Sequence, residues 1–224
     1  MLLADLLDLV LPATCAGCDE PATGPLCEPC RAALAAVRPG RTRPVPEPPG
    51  LPPVFALAAY AGSVRRMLIQ YKERNRHELA PVLGGLLARV VAASVPAGAG
   101  PVTLVPVPAT SAAARRRFGD HVDRLAVAAA ATLRRRGAEV RVEGLLRALP
   151  KREDSTELSA TERARAAAQA FAVRGRGRPA GGAVILVDDI ITTGSTLAAS
   201  TARLAAAGVR VHRVAVLAAT QRAA

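Results

Sequence analysis

From Ala183 to Thr196 the chain reads AVILVDDIITTGST, and no other stretch restricts the fold so sharply. The run Ala183 to Val187 is a strand with no polar face, and such a strand belongs in a parallel sheet covered on both sides. Asp188 and Asp189 follow, then Thr192, Thr193, Gly194, Ser195 and Thr196. These residues emerge at the carboxyl edge of the sheet, where open α/β folds bind their ligands. A helical pattern, TLAASTARLAAAG, opens there and turns its free amide groups and the positive end of its dipole towards the same place. The loop lacks a lysine, which separates it from the GxxxxGK[ST] nucleotide loop.

Two acids beside an anion cradle look contradictory unless one ligand carries a phosphate at one end and neighbouring hydroxyls at the other. Carboxylates accept hydrogen bonds from hydroxyls, and a ribose 5-phosphate offers both features. A second reading has the acids hold a magnesium ion that bridges to further phosphate oxygens. A third makes the acids solvated and the hydroxyls an ordinary helix cap, which explains each half but not their order.

Around this stretch, strand patterns at 54–60, 102–108, 183–189 and 209–218 alternate with helical patterns near 63–72, 77–93, 119–136, 159–169 and 196–207. The alternation predicts an α/β domain over residues 54–224, a mainly parallel sheet flanked by helices. Ahead of it, PGRTRPVPEPPGLPP, residues 39–53, reads as a linker because its prolines cannot continue a helix or a central strand. Residues 1–38 read as a small module whose leading leucines have helical spacing. That leading segment lacks a basic start and is interrupted by Asp5 and Asp8, so it is not read as a secretory leader. No stretch has the ~18 apolar residues of a membrane span, and the expectation is a soluble, cytoplasmic protein.

All four cysteines fall in this first module as Cys15-x2-Cys18 and Cys27-x2-Cys30. Two CxxC turns can direct four sulfurs at one tetrahedral zinc ion. Two disulfides would need an oxidising compartment, and a redox site would need only one pair. Such a zinc is structural, replacing a core that so short a module cannot build, and is expected to sit apart from the ligand site. His77, His121 and His212 are scattered singly and read as ordinary residues.

The formal charge of +12, from 30 Lys and Arg against 18 Asp and Glu, is almost entirely arginine. A surface of that kind attracts polyanions, either nucleic acid or a phosphorylated metabolite, although many of the arginines also fit solvated helix faces.

The stretch VILVDDIITTGST resembles the 5-phosphoribosyl 1-diphosphate (PRPP) motif of type I phosphoribosyltransferases. The resemblance implies that Asp188 and Asp189 bind the ribose 2- and 3-hydroxyls, that Thr192, Thr193, Gly194, Ser195 and Thr196 hold the 5-phosphate, and that Mg2+ accompanies PRPP. More of the chain is similar to the ComF family of competence-associated proteins. The paired CxxC motifs, SVRRMLIQYK, LVPVPAT with RRRFGDH, LSATERARAAAQAF and the PRPP motif occur in that order. In that resemblance VPVP, with Val107 and Pro108, meets the pyrophosphate end, and Lys72 falls on a position that is usually lysine. The chain departs from the family's RGFNQ with RRFGD at 116–120, from its Gln at Ser155 and from its Asn at Ala166.

The reaction implied is loss of pyrophosphate from the anomeric carbon with attack by a nitrogen acceptor. Cations near the leaving group would stabilise its charge, and Arg116, in the triplet 115–117 behind three alanines, is the candidate. The same segment could close as a lid or begin a solvated helix. Three functions are consistent with these residues: a PRPP-binding transferase acting in natural competence and DNA uptake, a non-catalytic single-stranded-DNA-binding competence protein regulated by PRPP and partnered with DNA-uptake proteins, and a nucleobase-salvage phosphoribosyltransferase. Among Phe55, Tyr60, Tyr71, Phe118 and Phe171 only Phe118 lies among arginines, so any DNA contact is expected to be chiefly electrostatic.

Overall fold

A computed structural model of the chain describes residues 14–109, 120–149, 170–174 and 181–220. Strands β1 (Gly40–Thr42), β2 (Val54–Ala59), β3 (Val102–Pro106), β4 (Val140–Val142), β7 (Ala183–Ile191) and β8 (Arg213–Ala219) form one sheet in the order β1-β2-β8-β7-β3-β4. All its pairings are parallel except the outermost, β1 against β2. Two short strands, β5 (Leu146–Ala148) and β6 (Phe171–Val173), pair antiparallel as a separate ribbon. The helices are α1 (Glu28–Ala36), α2 (Gly62–Glu73), α3 (Ala80–Ser94), α4 (His121–Arg134) and α5 (Ser195–Ala206). This is the mainly parallel, helix-flanked sheet that the apolar strands predict.

Period-two alternation divides the core into two layers. On one face Leu57, Leu104, Ile185, Val187, Ala215 and Leu217 pack under α2, α3 and α4. Opposite them Val105, Val184, Leu186, Val214 and Val216 pack with Leu197 and Leu204 of α5 and with Leu146 and Phe171 of the ribbon. Gly84 allows α3 and α4 to meet closely, since a Cβ there would stand 2.3 Å from Ala128 Cβ. From β3 the chain moves through α4 to β4 at one side, whereas from β7 it moves through α5 to β8 at the other. The direction of winding therefore reverses between β3 and β7, and the carboxyl ends of strands at such a reversal are where open α/β sheets bind their ligands.

Several details differ from the expectations. The stretch 39–53 supplies the edge strand β1, and its Pro44, Leu51 and Pro52 are buried. Its prolines stay off the central strands, but an edge strand tolerates them nearby. The predicted strand at 209–218 begins only at Arg213: His212 N–H donates to Val184 O at 2.9 Å, while its Nδ1 accepts from Val184 N–H at 3.0 Å, so a side chain replaces part of the ladder. The helix expected from 77 begins with a 3-10 turn, His77–Leu79, ahead of α3, whose first turn holds Pro81. Strands β4, β5 and β6 are too short for their alternation to be read. The leading helix and the helix near 159–169 lie outside the described residues.

The cysteine segment does not stand apart. Cys15, Ala16, Leu26, Cys30 and Leu34 share a core with Met67, Leu68 and Tyr71 of α2. Arg66 donates from Nε to Gly17 O at 2.5 Å, and Gln70 Nε2 donates to Asp19 Oδ1 at 3.2 Å. From α3 the Arg89 guanidinium donates to Leu34 O and Ala35 O at 2.7 and 3.0 Å, and also to Val37 O, occupying carbonyls left free at the end of α1. Among the described residues no helix is long and apolar enough to cross a membrane.

Candidate functional site

At the carboxyl end of β7 the two acids are held differently. Asp189 is 4% exposed, and its Oδ2 receives Lys72 Nζ at 2.6 Å and His121 Nε2 at 2.7 Å. Asp188 is half-buried, and its Oδ1 accepts the Asp189 amide at 2.8 Å. Burial alone would raise the Asp189 pKa, but the hydrogen bond from His121 and the Lys72 charge outweigh it and hold the carboxyl at about 2. For Asp188 burial and the neighbouring Asp189 charge act together, and its pKa lies well above the ordinary carboxylate range. The surroundings hold Asp189 as an anion and push Asp188 towards its protonated form.

Beyond the acids, Gly194 adopts φ 76°, a left-handed conformation that glycine takes at little cost, and α5 begins at the next residue. Thr192, Thr193, Ser195 and Thr196 are exposed around this turn, with Thr193 Oγ1 3.0 Å from Ser195 Oγ. Gly194 itself is buried: a Cβ there would stand 3.1 Å from Pro44 Cγ, 3.2 Å from Leu51 Cδ2 and 3.4 Å from Pro48 Cγ. The proline-rich stretch thus braces the back of the turn and leaves its hydroxyls open.

The loop after β3 lies alongside. Val107 is buried and donates its amide to Val187 O at 3.0 Å, and Pro108 is half-buried. Asp120 joins this loop to α4: its Oδ2 accepts the Ala109 amide at 2.8 Å, and its Oδ1 accepts those of Val122 and Asp123, capping the helix. The fold therefore gathers Lys72, Val107, Pro108, Asp188, Asp189 and Thr192 to Thr196 at the carboxyl edge where the winding reverses. Arg116 and the segment 112–117 lie outside the described residues.

His121 and Asp120 are the residues the sequence reading missed. Asp120 carries a helix-capping signal in GDH. His121 has none, because its partner is 68 positions away.

The four cysteine sulfurs lie within 4.8 Å of one another. Burial opposes ionisation of Cys15, but backbone N–H groups of Cys27, Gly17 and Cys18 bring its pKa down to about 6. Cys30 is pushed up to about 12 by burial and by the neighbouring cysteine sulfurs. A Cβ at Gly17 would meet Cys30 Sγ at 2.9 Å, so the glycine makes room for the cluster. Four sulfurs this close, with amide groups directed at one of them, fit a zinc ion whose charge would allow all to be thiolates.

A family model described as the phosphoribosyl transferase domain matches residues 82–224, from the first turn of α3 onwards, and so contains every site residue above except Lys72 and the cysteines. A search of curated proteins returned no match.

Proposed function

The chain belongs to the phosphoribosyl transferase domain family, and on that premise we propose that it binds PRPP at the carboxyl edge of β7 and β3 and transfers its phosphoribosyl group to a nitrogen acceptor. The observation that carries this reading is the succession of a half-buried Asp188 near the end of β7 and the exposed hydroxyls on both sides of a left-handed Gly194 where α5 begins. Hydroxyls and amides of Thr192 to Thr196 bind the 5-phosphate, Asp188 and Asp189 serve the ribose hydroxyl end, and the Val107–Pro108 loop meets the pyrophosphate. Family membership supports phosphoribosyltransferase activity.

In this reaction the bond from the anomeric carbon to the pyrophosphate oxygen breaks, both electrons leaving with pyrophosphate, and a bond to the acceptor nitrogen forms as that nitrogen loses a proton. PRPP enters as its magnesium complex, and the ion supplies charge neutralisation at the leaving group. The carboxylates at the edge are hard oxygen donors of the kind magnesium accepts. Arg116 is proposed as a further cation there.

The paired CxxC cluster, the basic charge and the order of motifs favour a ComF-type protein acting in DNA uptake over a salvage enzyme, with residues 1–38 as a zinc module. In that role the arginine surface would contact single-stranded DNA electrostatically. Titration calorimetry with magnesium and PRPP tests the site. Binding is expected for the wild type and lost in Asp188→Asn. Fluorescently labelled single-stranded DNA tests the role: its affinity should fall steeply as salt rises, and a salt-insensitive complex would contradict the DNA reading.

A further inference from the structure

Strand alternation sends the two acids to opposite faces of the sheet. Asp189 continues the series Ile185, Val187, whose side chains pack under α2, α3 and α4. Asp188 continues the series Val184, Leu186, whose side chains face α5 and the ribbon. Asp189 meets Lys72 of α2 and His121 of α4, both at the same oxygen, Oδ2. The Asp188 carboxyl instead accepts the Asp189 amide at 2.8 Å.

His121 is held at its backbone as well as at its ring. Tyr71 donates its hydroxyl to His121 O at 3.0 Å, and its ring stands at a steep angle to the imidazole with centroids 6.4 Å apart. The Asp120 cap fixes the turn of α4 on which His121 sits. A carboxylate only accepts hydrogen bonds, so the bond to Asp189 requires the proton on Nε2. The other nitrogen, Nδ1, is buried and has no partner among the described residues. A buried unpaired nitrogen is a cost that packing alone does not repay. Among the described residues, the ring's one polar contact is therefore the bond to Asp189.

We propose that His121 is a positioning residue of the PRPP site. With Lys72 it pins Asp189 as a scaffold carboxylate, and so sets the edge of β7 from which Asp188 meets the ribose of the ligand. The proposal rests on the PRPP reading of this turn and divides the acid pair into one supporting and one contacting member.

Two substitutions separate the bond from the bulk of the ring. His121→Gln can place an amide N–H where Nε2 stands, whereas His121→Asn places its amide at the position of Nδ1, too short to reach Asp189. Calorimetry would use magnesium with PRPP, and magnesium with inorganic pyrophosphate as a ligand that lacks ribose. Loss of a charge-assisted hydrogen bond predicts PRPP binding weakened about tenfold or more in His121→Asn and within about threefold of wild type in His121→Gln. Pyrophosphate affinity should stay unchanged in both. Equal PRPP affinities in the two variants, or parallel losses for PRPP and pyrophosphate, would overturn the proposal. A wild type that binds pyrophosphate but not PRPP would instead overturn the functional reading beneath it.

Discussion

Lys72 Nζ lies 2.6 Å from Asp189 Oδ2, with 18% and 6% of the two side chains exposed. The pair ties α2, which leans on the cysteine segment, to the strand that carries the candidate site. Removing Lys72 leaves the buried Asp189 charge with only the hydrogen bond from His121. Lys72→Met should therefore lower stability by about 3 kcal/mol in urea unfolding and weaken PRPP binding in calorimetry. A variant as stable as the wild type would show that the pair is not formed in solution.

The acids should give opposite pH signatures. Asp189 has a folded pKa of about 2, below its unfolded value, so its contribution is present above the ordinary carboxylate range and is lost as pH falls towards 2. Asp188 has a raised folded pKa, so its contribution is present at low pH and is lost as pH rises through that value. At neutral pH Asp188 thus opposes folding, and Asp188→Asn should raise the melting temperature while weakening PRPP binding. Thermal melts at pH 5 and pH 8 check the sign, because the gain should be larger at pH 8.

Gly194→Ala should damage the turn in two ways. The left-handed φ of 76° disfavours a side chain by about 1 kcal/mol, and the new Cβ would press on Pro44 and Leu51. The expected result is a loss of about 1–2 kcal/mol in stability and a smaller upward melting shift on adding ribose 5-phosphate. An unchanged ligand-induced shift would show that the turn does not hold the phosphate.

Chelation tests the link between the cysteine cluster and the site. Metal analysis should find zinc in the wild type and none in a Cys15→Ser/Cys30→Ser variant. Because Arg66 and Gln70 join α2 to Gly17 and Asp19, stripping the zinc should lower the melting temperature and also weaken PRPP binding. Loss of order confined to the cysteine segment, with PRPP affinity unchanged, would mean that the two sites are independent.

How much of this could be read in advance follows from the range of each signal. The strand Ala183–Val187, the acids and the hydroxyl turn were legible because they are contiguous and their chemistry depends on nearest neighbours. The cysteine cluster was legible because CxxC spacing encodes geometry. The contact of His121 with Asp189 was not, since it depends on α4 crossing the sheet beside α2. The packing of Pro44 and Leu51 behind Gly194 was hidden for a similar reason: proline-rich composition signals a break in regular structure, not what the break covers. Nor did the sequence show that Asp188 and Asp189 differ, because the two letters are identical and only strand alternation separates their surroundings.

The central claim is that this turn binds PRPP for transfer. A phosphorus NMR time course with magnesium, PRPP and a mixed pool of small nitrogen acceptors, run beside Asp188→Asn, tests it most directly. The account predicts pyrophosphate released by the wild type alone. PRPP signals that neither broaden nor decline with the wild type, or pyrophosphate released equally by both proteins, would contradict it.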